Sequence, residues 1–172
     1  MKTRVSGRIG YKDGVWMADE DISLSWVDSS SMFGNGCFDM IRTFNHVPFL
    51  MDEHIERLFM SMESVGIVID KSRDNIVSIC DEIMSRNNQH FVNDEYRFMI
   101  NVTPGPLGIY REIFELAEGE EWGRPSWIIN AWPLSKTART LAHFYVTGAN
   151  AVSVPQLQIP ARFLDPKIKC RS

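Results

Sequence analysis

Few side chains in this 172-residue sequence stand where they could do chemistry, and most of those that do are basic. Arg57 lies three residues after His54 and four before Ser61. Lys167 and Lys169 lie near the end of the chain, beside Cys170. Arg42 and Arg97 sit in alternating apolar runs. An arginine fork grips an oxyanion bidentately. A lysine amine held neutral attacks a carbonyl. Taken singly, these residues also have plain readings. Arg57 would pair on a helix surface with Glu53, and Lys169 would belong to a basic tail with Lys167 and Arg171.

Several chemistries lack their residues. There is no P-loop, G-x-G-x-x-G, G-x-S-x-G or His-Glu-x-x-His motif. His46, His54, His90 and His143 show no metal-ligand spacing, so no metal is expected. Cys37, Cys80 and Cys170 are odd in number and far apart. They resemble neither a metal knuckle nor a redox pair and read as reduced thiols.

The elements that must position these groups follow from periodicity. Phe38 to Phe44 alternates, with Phe38, Met40, Arg42 and Phe44 on one face and Asp39, Ile41 and Thr43 on the other. Asn45-His46 makes a turn, and Val47 to Met51 returns as a strand. Ile55, Leu58, Phe59, Met62 and Val65 mark an amphipathic helix capped by Asp52 and stopped at Gly66. His54 and Ser61 fall on the edge of that stripe, and Arg57 falls away from it. A second helix spans roughly 72–86, with Cys80 in its core face. Tyr96 to Thr103 and Trp127 to Trp132 read as strands. An opening hairpin covers Val5 to Gly10 and Val15 to Met17. Ser29 to Gly36 reads as a loop, and Tyr110 to Ala117 as a short helix.

These elements predict an α+β domain, a sheet packed against helices, over residues 1–132. Residues 133–145 read as a linker, and 146–172 as the first strands of an incomplete second domain. The chain is 44% hydrophobic, with five tryptophans, enough for a packed core. A net charge of -4 gives no reason to expect nucleic acid or an anionic membrane as partner. No apolar run approaches signal or membrane-spanning length. The expectation is a cytoplasmic protein.

Several of these pieces occur in a telling order. Gly36-x-Phe38-x-x-x-Arg42, Pro48-Phe49, His54-x-x-Arg57-Leu58, Ser61 and Gly66-Ile67 resemble the N-terminal signature of the class IV, or fold-type IV, pyridoxal-phosphate-dependent aminotransferases. Tyr96 to Gly105 is similar to the strand ending that domain. Gly148-x-x-Ala151-x-x-Val154 and Ile168-Lys169 resemble the approach to the family's Schiff-base lysine. The resemblance implies pyridoxal 5'-phosphate as cofactor, Lys169 as catalytic lysine with Lys167 as competitor, and Arg57 as phosphate anchor. It implies Phe38, Arg42 and Arg97 as substrate-pocket residues. By their own character, Phe38 reads equally as a core aromatic, and Arg42 and Arg97 as surface ion-pair partners.

The activity so implied is transamination between an amino acid or amine and a keto acid, by a homodimer. The alternatives are an aminodeoxychorismate-lyase-like enzyme on the same fold and a non-catalytic interaction domain lacking the second domain. Two departures from the family pattern stand out. Thr103-Pro104-Gly105 replaces the Thr-Arg-Gly of D-amino-acid aminotransferases, and proline offers neither charge nor donor. Cys170-Arg171-Ser172 follows the lysine where Leu-Asn is common two residues later. The family's acidic partner of the pyridine nitrogen and further phosphate loops lie beyond Ser172, so the chain alone is expected to be inactive.

Overall fold

The computed structural model of the chain describes residues 7–116 and 118–170. Strands β1 (Ile9–Lys12) and β2 (Val15–Ala18) form a hairpin whose two-residue turn, Asp13-Gly14, has positive φ at both positions. Asx-Gly suits that mirror-image turn, which matches the strand twist. The expected opening strand begins at Val5; residues 5 and 6 lie outside the described residues. Helix α1 (Ser29–Phe33) follows, then β3 (Cys37–Phe44), β4 (Val47–Pro48) and α2 (Met51–Ser64). Helix α3 (Arg73–Asn87), β5 (Tyr96–Thr103), β6 (Ser126–Pro133), α4 (Leu134–Leu141) and α5 (Phe144–Thr147) complete the order.

The strands make one six-stranded sheet in the order β2-β1-β6-β5-β3-β4, antiparallel at every pairing. Helices α2 and α3 cover one face. Ile55, Leu58 and Met62 of α2, with Ile76, Cys80 and Ile83 of α3, pack on Ile41, Phe98, Ile100 and Ile129 of the sheet. Each such large apolar side chain, fully buried, contributes about 1.5–3 kcal/mol. Ser72 and Asn75 form a reciprocal capping box at the start of α3. At its end, the Asn87 side chain donates to the Ile9 carbonyl and accepts from the Ile9 amide, both at 2.7 Å. That clasp fixes α3 to β1.

The α+β sheet-plus-helices architecture and the alternation of β3 and β5 are as expected. Several local readings are corrected. Ser29–Phe33 is a short helix, because the Asp28 carboxylate accepts from the Ser30 amide and Gly34 closes the end in the left-handed region. The strand expected over Val47 to Met51 ends at Pro48, because Leu50 turns left-handed as the cap of α2, which starts at Met51 and leaves Asp52 in its first turn. No helix spans Tyr110 to Ala117: Gly108–Tyr110 is a 3-10 turn, and Ile109 and Ile113 are exposed, so no buried stripe holds a helix there. Ala117 itself lies outside the described residues. The stretch read as a linker contains α4, whose first turn is tied down by Leu134 and Ser135 amides donating to the Glu95 carbonyl and the Asp94 carboxylate. From Val146 onward the described residues form no strand. Val152, Val154 and Leu157 are exposed, and among the described residues no neighbouring strand or core offers them a ladder or an apolar face.

Candidate functional site

Strand β3 alternates faces, and its buried register is Cys37, Asp39, Ile41 and Thr43. A carboxylate in that register must find partners or stay uncharged. Asp39 finds three, and its side chain is wholly buried. Helix α2 lies against β3 and brings Arg57 and His54, one turn apart, onto it. Arg57 Nε donates to Asp39 Oδ2 and Arg57 Nη2 to Oδ1, both at 2.8 Å. His54 Nδ1 lies 2.8 Å from Oδ1, and the Met40 amide donates to Oδ1 at 2.7 Å. Because a carboxylate oxygen only accepts, Nδ1 carries the imidazole proton. Burial pushes the Asp39 carboxyl up. The hydrogen bonds from Arg57, His54 and the Met40 amide, with the Arg57 charge, outweigh burial and hold it below the usual carboxylate range. Conversely, the bond to Asp39 raises the Arg57 guanidinium further.

This clamp uses only one edge of the guanidinium. Nη1 makes no hydrogen bond within the described residues, and the Arg57 side chain is 47% exposed. Arg57 also lines a cleft of about 480 Å³ together with Ser61, Ser64, Asp165, Lys167 and Lys169. The end of the chain reaches that cleft by backbone bonds. The Phe38 amide donates to the Lys169 carbonyl at 3.0 Å, and the Lys169 amide donates to Ser61 Oγ at 3.0 Å. Ser61 Oγ in turn donates to the Arg57 carbonyl at 2.8 Å. One hydroxyl therefore joins the backbone of Lys169 to that of Arg57. The Lys169 amine stands over the Phe38 ring, 5.0 Å from its centroid, and makes no ion pair among the described residues.

Arg57 and Lys169, far apart in sequence, thus share one cleft. Lys167 lines it too, but there its backbone amide bonds only the neighbouring Asp165 carboxylate, at 2.9 Å. Phe38 floors the amine. Arg42 and Arg97 are elsewhere: they face each other across β3 and β5 and line a second cleft of about 340 Å³ with Met40, Leu134 and Tyr145. Arg42 stacks its guanidinium over Phe44 at 3.9 Å. His54 lines this second cleft and sits 3.1 Å from Arg57 Nη2, so the two clefts meet at the Asp39 clamp. Sequence reasoning missed Asp39 and gave His54 no role. The available signal was an acid in the core-facing register of β3.

The donor set fits a phosphorylated carbonyl compound. The free guanidinium edge can meet a phosphate, the Ser61 and Ser64 hydroxyl protons are engaged by the Arg57 and Met60 carbonyls, and Lys169, whose amine makes no ion pair among the described residues, lines the same cleft with Asp165. A smaller cavity of about 150 Å³ is also lined by a lysine, an arginine and a serine, but Lys12 and Arg124 are paired with Glu120 and Glu121 and Ser126 donates to Asp13. Among the described residues no group of histidine, cysteine or acidic side chains could hold a metal, and no helix is long and apolar enough to cross a membrane.

Comparison with known proteins gives the family and the fold. The family model described as amino-transferase class IV matches residues 36–172. A putative branched-chain-amino-acid aminotransferase of Methanocaldococcus jannaschii is 26% identical over 160 residues, covering 92% of this chain and 50% of that protein. The aminodeoxychorismate lyase of Bacillus subtilis is 30% identical over 105 residues, covering 61% of this chain and 36% of that protein. Among solved structures, the branched-chain amino acid aminotransferase of Escherichia coli matches with a TM-score of 0.60 at 20% identity, over 74% of this chain and 41% of that one. The branched-chain aminotransferase of Thermoproteus uzoniensis, solved with norvaline, matches with a TM-score of 0.58 at 21% identity, over 73% and 40%. The chain spans about half the length of the first of these curated relatives.

Proposed function

The chain belongs to the class IV amino-transferases, and from that premise we propose that it serves a pyridoxal-phosphate-dependent transaminase moving an amino group between an amino acid or amine and a keto acid. The observation that carries this reading is the shared cleft: an arginine with a free edge and a free lysine amine, tied by the Ser61 hydroxyl. Pyridoxal phosphate, when bound, supplies an aldehyde that condenses with amines and a ring that draws electrons from the substrate's α-carbon. Everything else falls to the protein's own groups.

Arg57 holds the phosphate by its outer edge. Asp39 keeps the fork oriented by occupying the inner edge, and His54 shares that carboxylate. Lys169 is the Schiff-base lysine. With the cofactor bound, its Nζ would take the proton from the substrate's α-carbon and deliver it to the cofactor's aldehyde carbon, which is the shift transamination needs. Lys169 is preferred to Lys167 because both its amide and its carbonyl are fastened, to Ser61 and to the strand of Phe38, which fixes where its side chain starts. Arg42 and Arg97 offer two positive groups with no acidic partner among their described contacts, so they suit a substrate carboxylate in the adjoining cleft. Substrate exchange, the second keto acid and a homodimeric assembly belong to the same proposal.

The second reading, a lyase, is favoured by the similarity to aminodeoxychorismate lyase. Supplying an amino donor with and without a keto acid decides between them. Transamination requires the keto acid for turnover, whereas steady pyruvate release from aminodeoxychorismate without one establishes the lyase. Turnover in neither assay by the full-length protein overturns both.

A further inference from the structure

By sequence distance Cys37 and Cys170 read as unrelated thiols. The fold places them opposite one another. They form an isolated antiparallel bridge, with Cys37 at the first position of β3. The hydrogen bond of this bridge runs from the Phe38 amide to the Lys169 carbonyl, one position along from each cysteine. The cysteines are therefore the non-hydrogen-bonded type of antiparallel pair, whose Cα atoms lie about 4.5 Å apart and whose side chains are closest. That spacing falls inside the range a disulfide spans, about 4.4–6.8 Å.

From this geometry we propose that Cys37 and Cys170 are a redox couple whose disulfide staples the Lys169 segment to β3. Both are thiols here. Cys170 is partly exposed and Cys37 buried, so Cys170 meets an oxidant first. With hydrogen peroxide, the Cys170 sulfur attacks one peroxide oxygen, the O–O bond breaks, and sulfenic acid and one water form. The Cys37 sulfur then displaces hydroxide from the Cys170 sulfur, giving the disulfide and a second water. Two thiols lose two electrons and two protons, and one peroxide is reduced. Burial, and then the neighbouring Cys170, push the Cys37 thiol up to about 11, which makes it the poorer first nucleophile of the two positions. Cys80 is an internal control, fully buried in α3 and paired with neither.

The consequence is mechanical. Residues 149–168 make no ladder, and in the reduced chain Lys169 is held by two backbone hydrogen bonds, its carbonyl to the Phe38 amide of β3 and its amide to Ser61 of α2. The disulfide adds a covalent tie one residue from the amine, closing a loop over most of the chain. The cross-link stands whatever Lys169 does; its effect on the amine rests on the proposed function.

The test is stoichiometric hydrogen peroxide on the full chain, then denaturing alkylation and peptide mass mapping, with amide exchange measured in parallel. The expected result is a cross-linked pair of peptides containing Cys37 and Cys170, with Cys80 the one alkylated cysteine, reversed by dithiothreitol. Exchange of the Lys169 amide slows at least about tenfold on oxidation. In Cys37→Ser, the sulfenic acid of Cys170 is trapped by dimedone; in Cys170→Ser, Cys37 stays a thiol. Recovery of both cysteines as free thiols, over-oxidation of Cys170 with Cys37 reduced, or disulfides only between chains overturns the proposal. Labelling of Lys169 by cofactor in the reduced protein is a separate readout, so its failure refutes the function and leaves the cross-link standing.

Discussion

Breaking the Asp39 clamp tests whether Arg57 is held in place or merely lies on the surface. The perturbation is a double-mutant cycle of Asp39→Asn and Arg57→Gln. Two hydrogen bonds join the pair at 2.8 Å. A hydrogen bond to a charged group contributes about 1.5–3 kcal/mol. The carboxylate is wholly buried, but the guanidinium is 47% exposed, so solvent screens the pair and roughly half the lower figure applies per bond. The expected coupling is then about 1.5 kcal/mol, read from urea unfolding of the four proteins at neutral pH. Asp39→Asn alone costs more, about 2–4 kcal/mol, because an amide donor now opposes the Arg57 and Met40 donors. The pH dependence follows the same carboxyl. Its folded pKa lies below the unfolded value of about 3.9, so this stabilisation is complete above that value. It is lost as pH falls through the folded pKa, and Asp39→Asn removes that part of the acid slope. Coupling below about 0.3 kcal/mol, the scatter of independent sites, refutes the clamp.

Two further substitutions probe what positions the cleft. Ser61→Ala removes the acceptor of the Lys169 amide and the donor to the Arg57 carbonyl. With about 1 kcal/mol lost locally, Lys169 amide exchange should quicken about fivefold while the unfolding midpoint barely moves; unchanged exchange at Lys169 counts against the link. Gly105→Ala attacks the loop behind β5: Gly105 has φ +80° and an added Cβ would lie 1.8 Å from the Arg124 carbonyl oxygen. Left-handed strain and a backbone clash together should cost at least about 2 kcal/mol in urea unfolding, and an unchanged midpoint contradicts the packing described.

Much of this arrangement is legible from residue order. The alternation of β3 puts Asp39 on the face of Ile41, and the stripe of α2 puts Arg57 off the core. The pairing itself escaped: a carboxylate facing the core needs donors, and Arg57 and His54 lie one turn apart on the facing helix. Contact across 18 residues depends on the packing of α2 on β3, which periodicity orients but does not place in register. The bridge of Cys37 to Cys170 is further out of reach, since no local pattern specifies a pairing over such a separation. Helix α4 is hidden for another reason. Pro133 suggests a break, and the Leu134, Ala138 and Leu141 spacing is too short a stripe to stand out in a stretch that reads as linker. The segment after Val146 alternates like a strand, yet alternation yields a strand only where a partner strand exists, and among the described residues none does.

Reduction of the full-length protein with borohydride in the presence of pyridoxal phosphate, followed by peptide mapping, examines the shared cleft most directly. The account predicts the pyridoxyl adduct on Lys169, formed as readily in Lys167→Ala and weakened by Arg57→Gln through loss of the phosphate anchor. An adduct on Lys167, or one spread over surface lysines and indifferent to Arg57, contradicts it.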